Sequence, residues 1–207
     1  MNTGHRRLIT VLGLISFSGN LALPLTDAIS ILLHPGYNPL MKSVSDLALG
    51  PLGWIQGVGI GLGGIASIAC AAGLFLKLGR QWEVRLGEVL LCLVGIALVL
   101  AAVFHANLPG APPDLSGRIH GNASIFSGIA ILPVFFLVAF GLRNNRHLFI
   151  YTIVAGCLQI VLEVGRGRLP SNWTFFGLHE RLVGANPVLW EIFISWIILV
   201  KHRLKTG

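Results

Sequence analysis

Six long apolar runs, separated by short basic or proline-rich connections, set what this chain can fold into. They cover about residues 8–33, 51–78, 86–105, 119–142, 148–165 and 187–200. Roughly 20 apolar residues in helical form cross the ~30 Å hydrocarbon core of a bilayer, so the first five can span and the last must borrow residues at its ends. Only 11% of the 207 residues are charged, against about 25% in soluble domains. Such a chain cannot cover a globule with water-compatible side chains. The expected fold is therefore all-α: a polytopic membrane helix bundle of six transmembrane helices, with residues 1–207 forming a single membrane domain. His5, Arg6 and Arg7 precede the first run as they would in a signal peptide, but an h-region is typically about 7–15 residues and this run is far longer.

Lysines and arginines orient the threading. With the N-terminus inside, Arg6, Arg7, Lys77, Arg80, Arg85, Arg143, Arg146, Lys201, Arg203 and Lys205 lie on the inner side, and Lys42, Arg118, Arg166, Arg168 and Arg181 on the outer. The positive-inside rule then puts both termini in the cytoplasm of a multi-pass inner (plasma) membrane protein. Glu83 and Glu88 are the inner acids. Asp27, Asp46, Asp114, Glu163, Glu180 and Glu191 are read as outer. A pI near 10 thus reports topology and contact with anionic lipid, and no nucleic-acid partner is expected. Cys70, Cys92 and Cys157 fall inside separate predicted helices, too dispersed for a metal knuckle or redox pair.

Two packing signals stand out. In the second run, Gly53, Gly57 and Gly61 recur every four residues, with Gly59, Gly63, Gly64, Ser67 and Ala71 on neighbouring tracks. Small residues at that spacing let helices approach closely in lipid, so this helix is expected at the centre of the bundle. In the first run, Gly13, Asn20 and Asp27 recur at spacing seven, with Ser16 and Pro24 beside them. Asn20 and Asp27 therefore make an intramembrane polar stripe that faces protein. An ionised aspartate in lipid costs about 2.5–3.5 kcal/mol at the midplane, so Asp27 must be paired, protonated or hydrated.

The titratable groups gather on the expected outer face, at five helix ends or connections. The prolines and glycine of His34-Pro35-Gly36-Tyr37-Asn38-Pro39 impose a turn, placing Tyr37 at headgroup height. Ser43-Val44-Ser45-Asp46 offers a cap for a short interfacial helix, and Asp46 is either that cap or a catalytic or ion-binding carboxylate. The rigid connection from His105 to His120 brackets Asp114 between two histidines, which with His179 is donor chemistry suited to zinc or iron. The spacing lacks the HExxH pattern of a zinc peptidase. Arg166, Arg168 and Arg181, with Glu180, sit where the positive-inside tendency disfavours cations. They either close salt bridges with Glu163, Glu180, Asp46 or Asp27, or hold an anionic group such as a lipid phosphate.

Taken together, His34-Pro35-Gly36-Tyr37-Asn38-Pro39, Ser45-Asp46-Leu47-Ala48 with Gly50-Pro51, the Asp114 to His120 connection, and Gly177 to Arg181 with a tryptophan in the last span resemble the bacterial and archaeal six-helix membrane family catalogued as domain of unknown function 998. The resemblance implies a six-span inner-membrane protein and no established reaction. Three functional readings follow from the residues. The first is a structural or lipid-headgroup-binding protein with membrane lipid as its partner. The second is a membrane-embedded, metal-dependent lipid hydrolase, with Asp46 and His120 as catalytic groups and His105, Asp114, His120 and His179 as ligands or bases. The third is a small transporter using Asn20 and Asp27, which ranks last because no inverted repeat is visible.

Overall fold

The computed structural model describes residues 3–107, 112, 114–168 and 173–200. Its elements are α1 (Thr3–Leu33), the single-turn α2 (Val44–Leu47), α3 (Gly53–Lys77), α4 (Trp82–Val103), α5 (Leu115–Leu142), α6 (Arg146–Arg168) and α7 (Phe176–Ile194), the last continued by a π-helical segment, Ser195–Val200. No strand occurs among the described residues. Five helices, α1, α3, α4, α5 and α6, are long and apolar enough to cross a membrane. Large apolar side chains such as Leu25, Leu32, Trp54, Val103 and Ile129 point outward, where hydrocarbon can solvate them. The chain is an integral membrane protein.

Neighbours in sequence are neighbours in space: α1 packs on α3, α3 on α4, α4 on α5, α5 on α6 and α6 on α7, and α7 with its π-helical continuation returns to α1. The long helices alternate in direction, so residues 34–52, the end of α4 with the start of α5, and the start of α7 gather at one end, called here the loop-rich end. α3 is the central helix, as the small residues require: 56% of its apolar window is buried, against 28% for α1 and 39% for α4. Gly64 of α3 and Gly95 of α4 meet face to face. A Cβ built on either would lie 2.6 or 2.5 Å from the carbonyl oxygen of the other, closer than any side chain tolerates. The shared core runs through Ile9, Leu74, Leu91, Val134, Phe135, Val138, Trp190 and Ile194, with Phe135 and Trp190 edge to face at 4.9 Å.

Two sequence expectations need correction. The last apolar run starts at Pro187, but the helix starts eleven positions earlier, at Phe176. His179, Glu180 and Arg181 mask its first turns in the hydropathy pattern, and Pro187 is a residue within the helix, not its beginning. Proline cannot donate to the carbonyl four residues back, and the freed Val183 oxygen takes a hydrogen bond from Gln159 Nε2 at 3.2 Å. Glu191 consequently lies inside the bundle and not on a connection. Its carboxyl is buried, accepting from Asn20 Nδ2 at 3.0 Å and Ser67 Oγ at 2.9 Å. One turn further on, Ser195 Oγ meets Ser16 Oγ at 2.7 Å. The polar stripe of α1 does face protein, and its partner is α7.

Because the α3–α4 crossing depends on the absence of side chains, Gly64→Val is expected to destabilise the detergent-solubilised protein by about 1–3 kcal/mol or more. Gly57→Ala, whose Cβ would meet only Ala102 O at 3.5 Å, is expected to leave the melting temperature near that of the parent.

Candidate functional site

At the loop-rich end the chain must reverse between α1 and α3 without the help of bulk water on all sides, so its polar groups find partners within the protein. The organising side chain is Arg181, in the second turn of α7. Its Nε and one terminal nitrogen donate to Asp27 Oδ2 and Oδ1 at 3.0 and 3.1 Å. The same terminal nitrogen donates to the Tyr37 hydroxyl at 2.9 Å. The other terminal nitrogen reaches the carbonyls of Pro39, Lys42 and Gly177 at 2.9, 3.1 and 3.1 Å. Every donor of the guanidinium is thus engaged. Arg181 binds the protein's own carboxylate and turn, which leaves it no free donor for a lipid anion, and Asp27 is paired.

Tyr37 relays this anchor. Its hydroxyl donates toward the carbonyls of Lys42 and Ser43 at 2.9 and 2.6 Å, so the ring turns inward and does not serve mainly as a headgroup anchor. Burial pushes its phenol above the ordinary value, against the opposing pull of the Arg181 guanidinium. Gly177 completes the seat: a Cβ there would strike the carbonyls of Lys42 and Pro39, while Leu178 N–H donates to Leu40 O at 3.1 Å. Only glycine lets the start of α7 lie directly on the 39–42 turn.

The next residues build α2. Ser43 and Asp46 form a reciprocal capping box, with Asp46 N–H on Ser43 Oγ and Ser43 N–H on Asp46 Oδ2, both at 3.1 Å. The capping reading of Asp46 is the one the geometry displays. Glu180 Oε2 accepts from Val44 N–H at 2.8 Å, tying α7 to the same turn. Ser45 Oγ lies 3.2 Å from His120 Nε2. The other nitrogen of that buried ring faces the Ala101 and Phe104 carbonyls at 2.8 and 3.0 Å. These close α4, whose last carbonyls have no helical donor. Asp46, His120, Glu180 and Arg181 therefore converge on one segment, residues 37–46, although sequence alone could not place them together.

The four expected metal ligands do not gather. His105 and Asp114 face each other at 3.7 Å, both more than half exposed, and Asp114 caps α5 through Gly117 N–H at 2.7 Å. His179 Nε2 meets Leu162 O at 2.9 Å on α6, and its ring packs on Gly165 and Trp173. Among the described residues no three histidines, cysteines or acids lie close enough to hold a metal ion. Arg168 is exposed, and the side chain of Arg166 lies outside the described residues.

The clasp shapes an open cleft of about 430 Å³, lined by His34, Tyr37, Lys42, Asp46, Leu49 and Gly50 among others. The His34 ring is held by Ser30 O at 2.8 Å and rests against Gly50. Lys42 is exposed at the rim.

Replacing Arg181 by lysine keeps the charge and loses the two-pronged pairing. R181K is expected to lower stability in detergent by about 2–4 kcal/mol, from the broken, largely buried pair and its orphaned carbonyls. D27N should do likewise, and the double variant should cost clearly less than the two single losses added, because both act on one contact.

No curated protein and no solved structure matches this chain. The family model described as Protein of unknown function (DUF998) matches residues 18–197, which includes Asn20 and Asp27 of the α1 stripe, the 34–52 turn, the capped α2 and the Arg181 clasp, and the chain belongs to that family.

Proposed function

We propose that this is a six-span protein of the inner membrane, with both termini cytoplasmic, whose outer-face clasp holds open a seat for a phospholipid headgroup. In this reading α7 and its π-helical continuation form the sixth span and the loop-rich end faces outward, which keeps most cations on the inner side. The observation that carries the reading is the cleft itself. It presents the Lys42 ammonium and the His34 imidazole on the same wall system as the Asp46 carboxylate, while Arg181 is consumed in holding the turn. A zwitterionic headgroup matches such a surface: its phosphate meets Lys42 and its ammonium meets Asp46. Exposed apolar side chains of the adjoining turn, Leu40 and Met41, lie where acyl chains would pass.

Orientation is checked by a reporter phosphatase fused after Gly207. It is expected to be inactive in cells, whereas activity confined to the outer side would overturn the topology. Headgroup binding is checked by native mass spectrometry of the intact protein released from detergent with phosphatidylethanolamine or phosphatidylglycerol added. The parent is expected to retain phosphatidylethanolamine preferentially, and Lys42→Met to retain at least tenfold less at equal lipid concentration. Equal retention by the parent and K42M would refute the seat.

A further inference from the structure

Beyond lipid binding, the contact between α2 and α5 has the form of a nucleophile and its base. We propose that Ser45 and His120 are a catalytic dyad for acyl transfer from a carboxylic ester carried by a membrane lipid. The argument begins with the tautomer. His120 Nδ1 faces two backbone carbonyls, Ala101 O and Phe104 O, at 2.8 and 3.0 Å. Carbonyls only accept, so the ring proton sits on Nδ1 and Nε2 carries the lone pair. The Ser45 hydroxyl, 3.2 Å away, therefore donates to Nε2. That is the arrangement a general base needs toward a serine nucleophile, with a third group fixing the ring.

In hydrolytic triads the third group is commonly a carboxylate. Here it is the C-terminal end of α4, whose unpaired carbonyls carry partial negative charge and can stabilise an imidazolium as it forms. His120 is 6% exposed, so the proton transfer occurs away from bulk water. Ser45, by contrast, is only half-buried. Val103 and Leu115, at the adjoining ends of α4 and α5, are 72% and 73% exposed and offer an apolar approach for acyl chains. Asp46, next to Ser45, is committed to capping α2, which fixes the backbone that carries the nucleophile.

The reaction balances without any further cofactor. Ser45 Oγ bonds to the ester carbonyl carbon as its proton passes to His120 Nε2. The carbon–oxygen bond to the alcohol breaks and the leaving oxygen takes that proton. Water then attacks the acyl-serine, gives its proton to Nε2, and releases the carboxylic acid as Oγ regains a proton. The net change is ester plus water to acid plus alcohol.

The test treats the intact, detergent-purified protein with a fluorophosphonate probe, in which the serine oxygen bonds to phosphorus and fluoride leaves. The expected result is a single adduct per chain by intact mass, mapped to Ser45 by peptide sequencing and absent from Ser45→Ala. His120→Gln should slow labelling by about 10²–10⁴-fold, the usual contribution of a general base. Folded parent protein that remains unlabelled, or an adduct formed equally in S45A, would overturn the dyad. The parent result decides even if H120Q fails to fold. Phosphatidylethanolamine retention, measured separately, reports on the headgroup seat and does not depend on this outcome.

Discussion

The cost of leaving a polar group unpaired within a bilayer shapes this structure most visibly between its first and last helices. There the chain runs α7 antiparallel to α1 and matches polar residue to polar residue along the seam. Ser195 meets Ser16, Glu191 meets Asn20, and Arg181 meets Asp27. Each rung would be costly alone in lipid. Together they join the first and last helices and close the ring of helices. The seam also sets the position of α7 along its own axis, because sliding by one turn would mismatch every rung at once. That registration is what brings Gly177 onto the 39–42 turn and Glu180 to the start of α2.

The shape of the loop-rich end follows from the same registration. The 37–46 segment has little hydrophobic reason to hold one shape, since Leu47 is the buried residue of α2. It is held by donors and acceptors from elsewhere: Arg181 and Glu180 from α7, His120 from α5, and Asp27 through Arg181. One segment therefore carries both Lys42 at the cleft and the Ser45 hydroxyl on the side of His120, so the proposed headgroup seat and the proposed nucleophile lie within a few residues of each other, the kind of juxtaposition on which substrate positioning depends.

Much of the fold was legible in the sequence because hydropathy reports burial in lipid directly. The first five runs match α1, α3, α4, α5 and α6 to within a few residues at each end. The α1 stripe was legible because residues at spacing seven must share a helical face, whatever they touch. The sixth helix was legible only from Pro187 onward, since charges that are paired in the folded bundle look, in sequence, like a loop. The same effect moved Glu191 to the wrong environment. The convergence of His120, Glu180 and Arg181 on residues 37–46 could be expected only as a shared membrane face. Ser45 and His120 are 75 positions apart, and no local pattern encodes which serine the imidazole reaches. The metal-ligand reading of His105, Asp114, His120 and His179 rested on residue type at one face. It lost force because imidazoles at helix ends were each taken by nearby carbonyls or by a carboxylate.

The irregularities of α7 make sense against that background. Within one helix the chain places Pro187, then Glu191, then a change to π-helical geometry at Ser195. The proline frees a backbone carbonyl, the glutamate brings a carboxyl into the bundle and the wider turn displaces the helix, and each is answered from a neighbour. Gln159 of α6 supplies the donor missing at Val183 O, and Asn186 Nδ2 reaches back to Gln159 Oε1 at 2.8 Å. Leu199, within the π-helical turn, packs on Gly13 of α1 and Gly73 of α3, where no side chain competes for the space. The wider turn shifts the helix laterally at the point where two glycines make room for it. A regular helix would need no such room, so the glycines, the proline and the acid are one coupled solution: they let the last helix carry a carboxyl through the bundle and still close against the first.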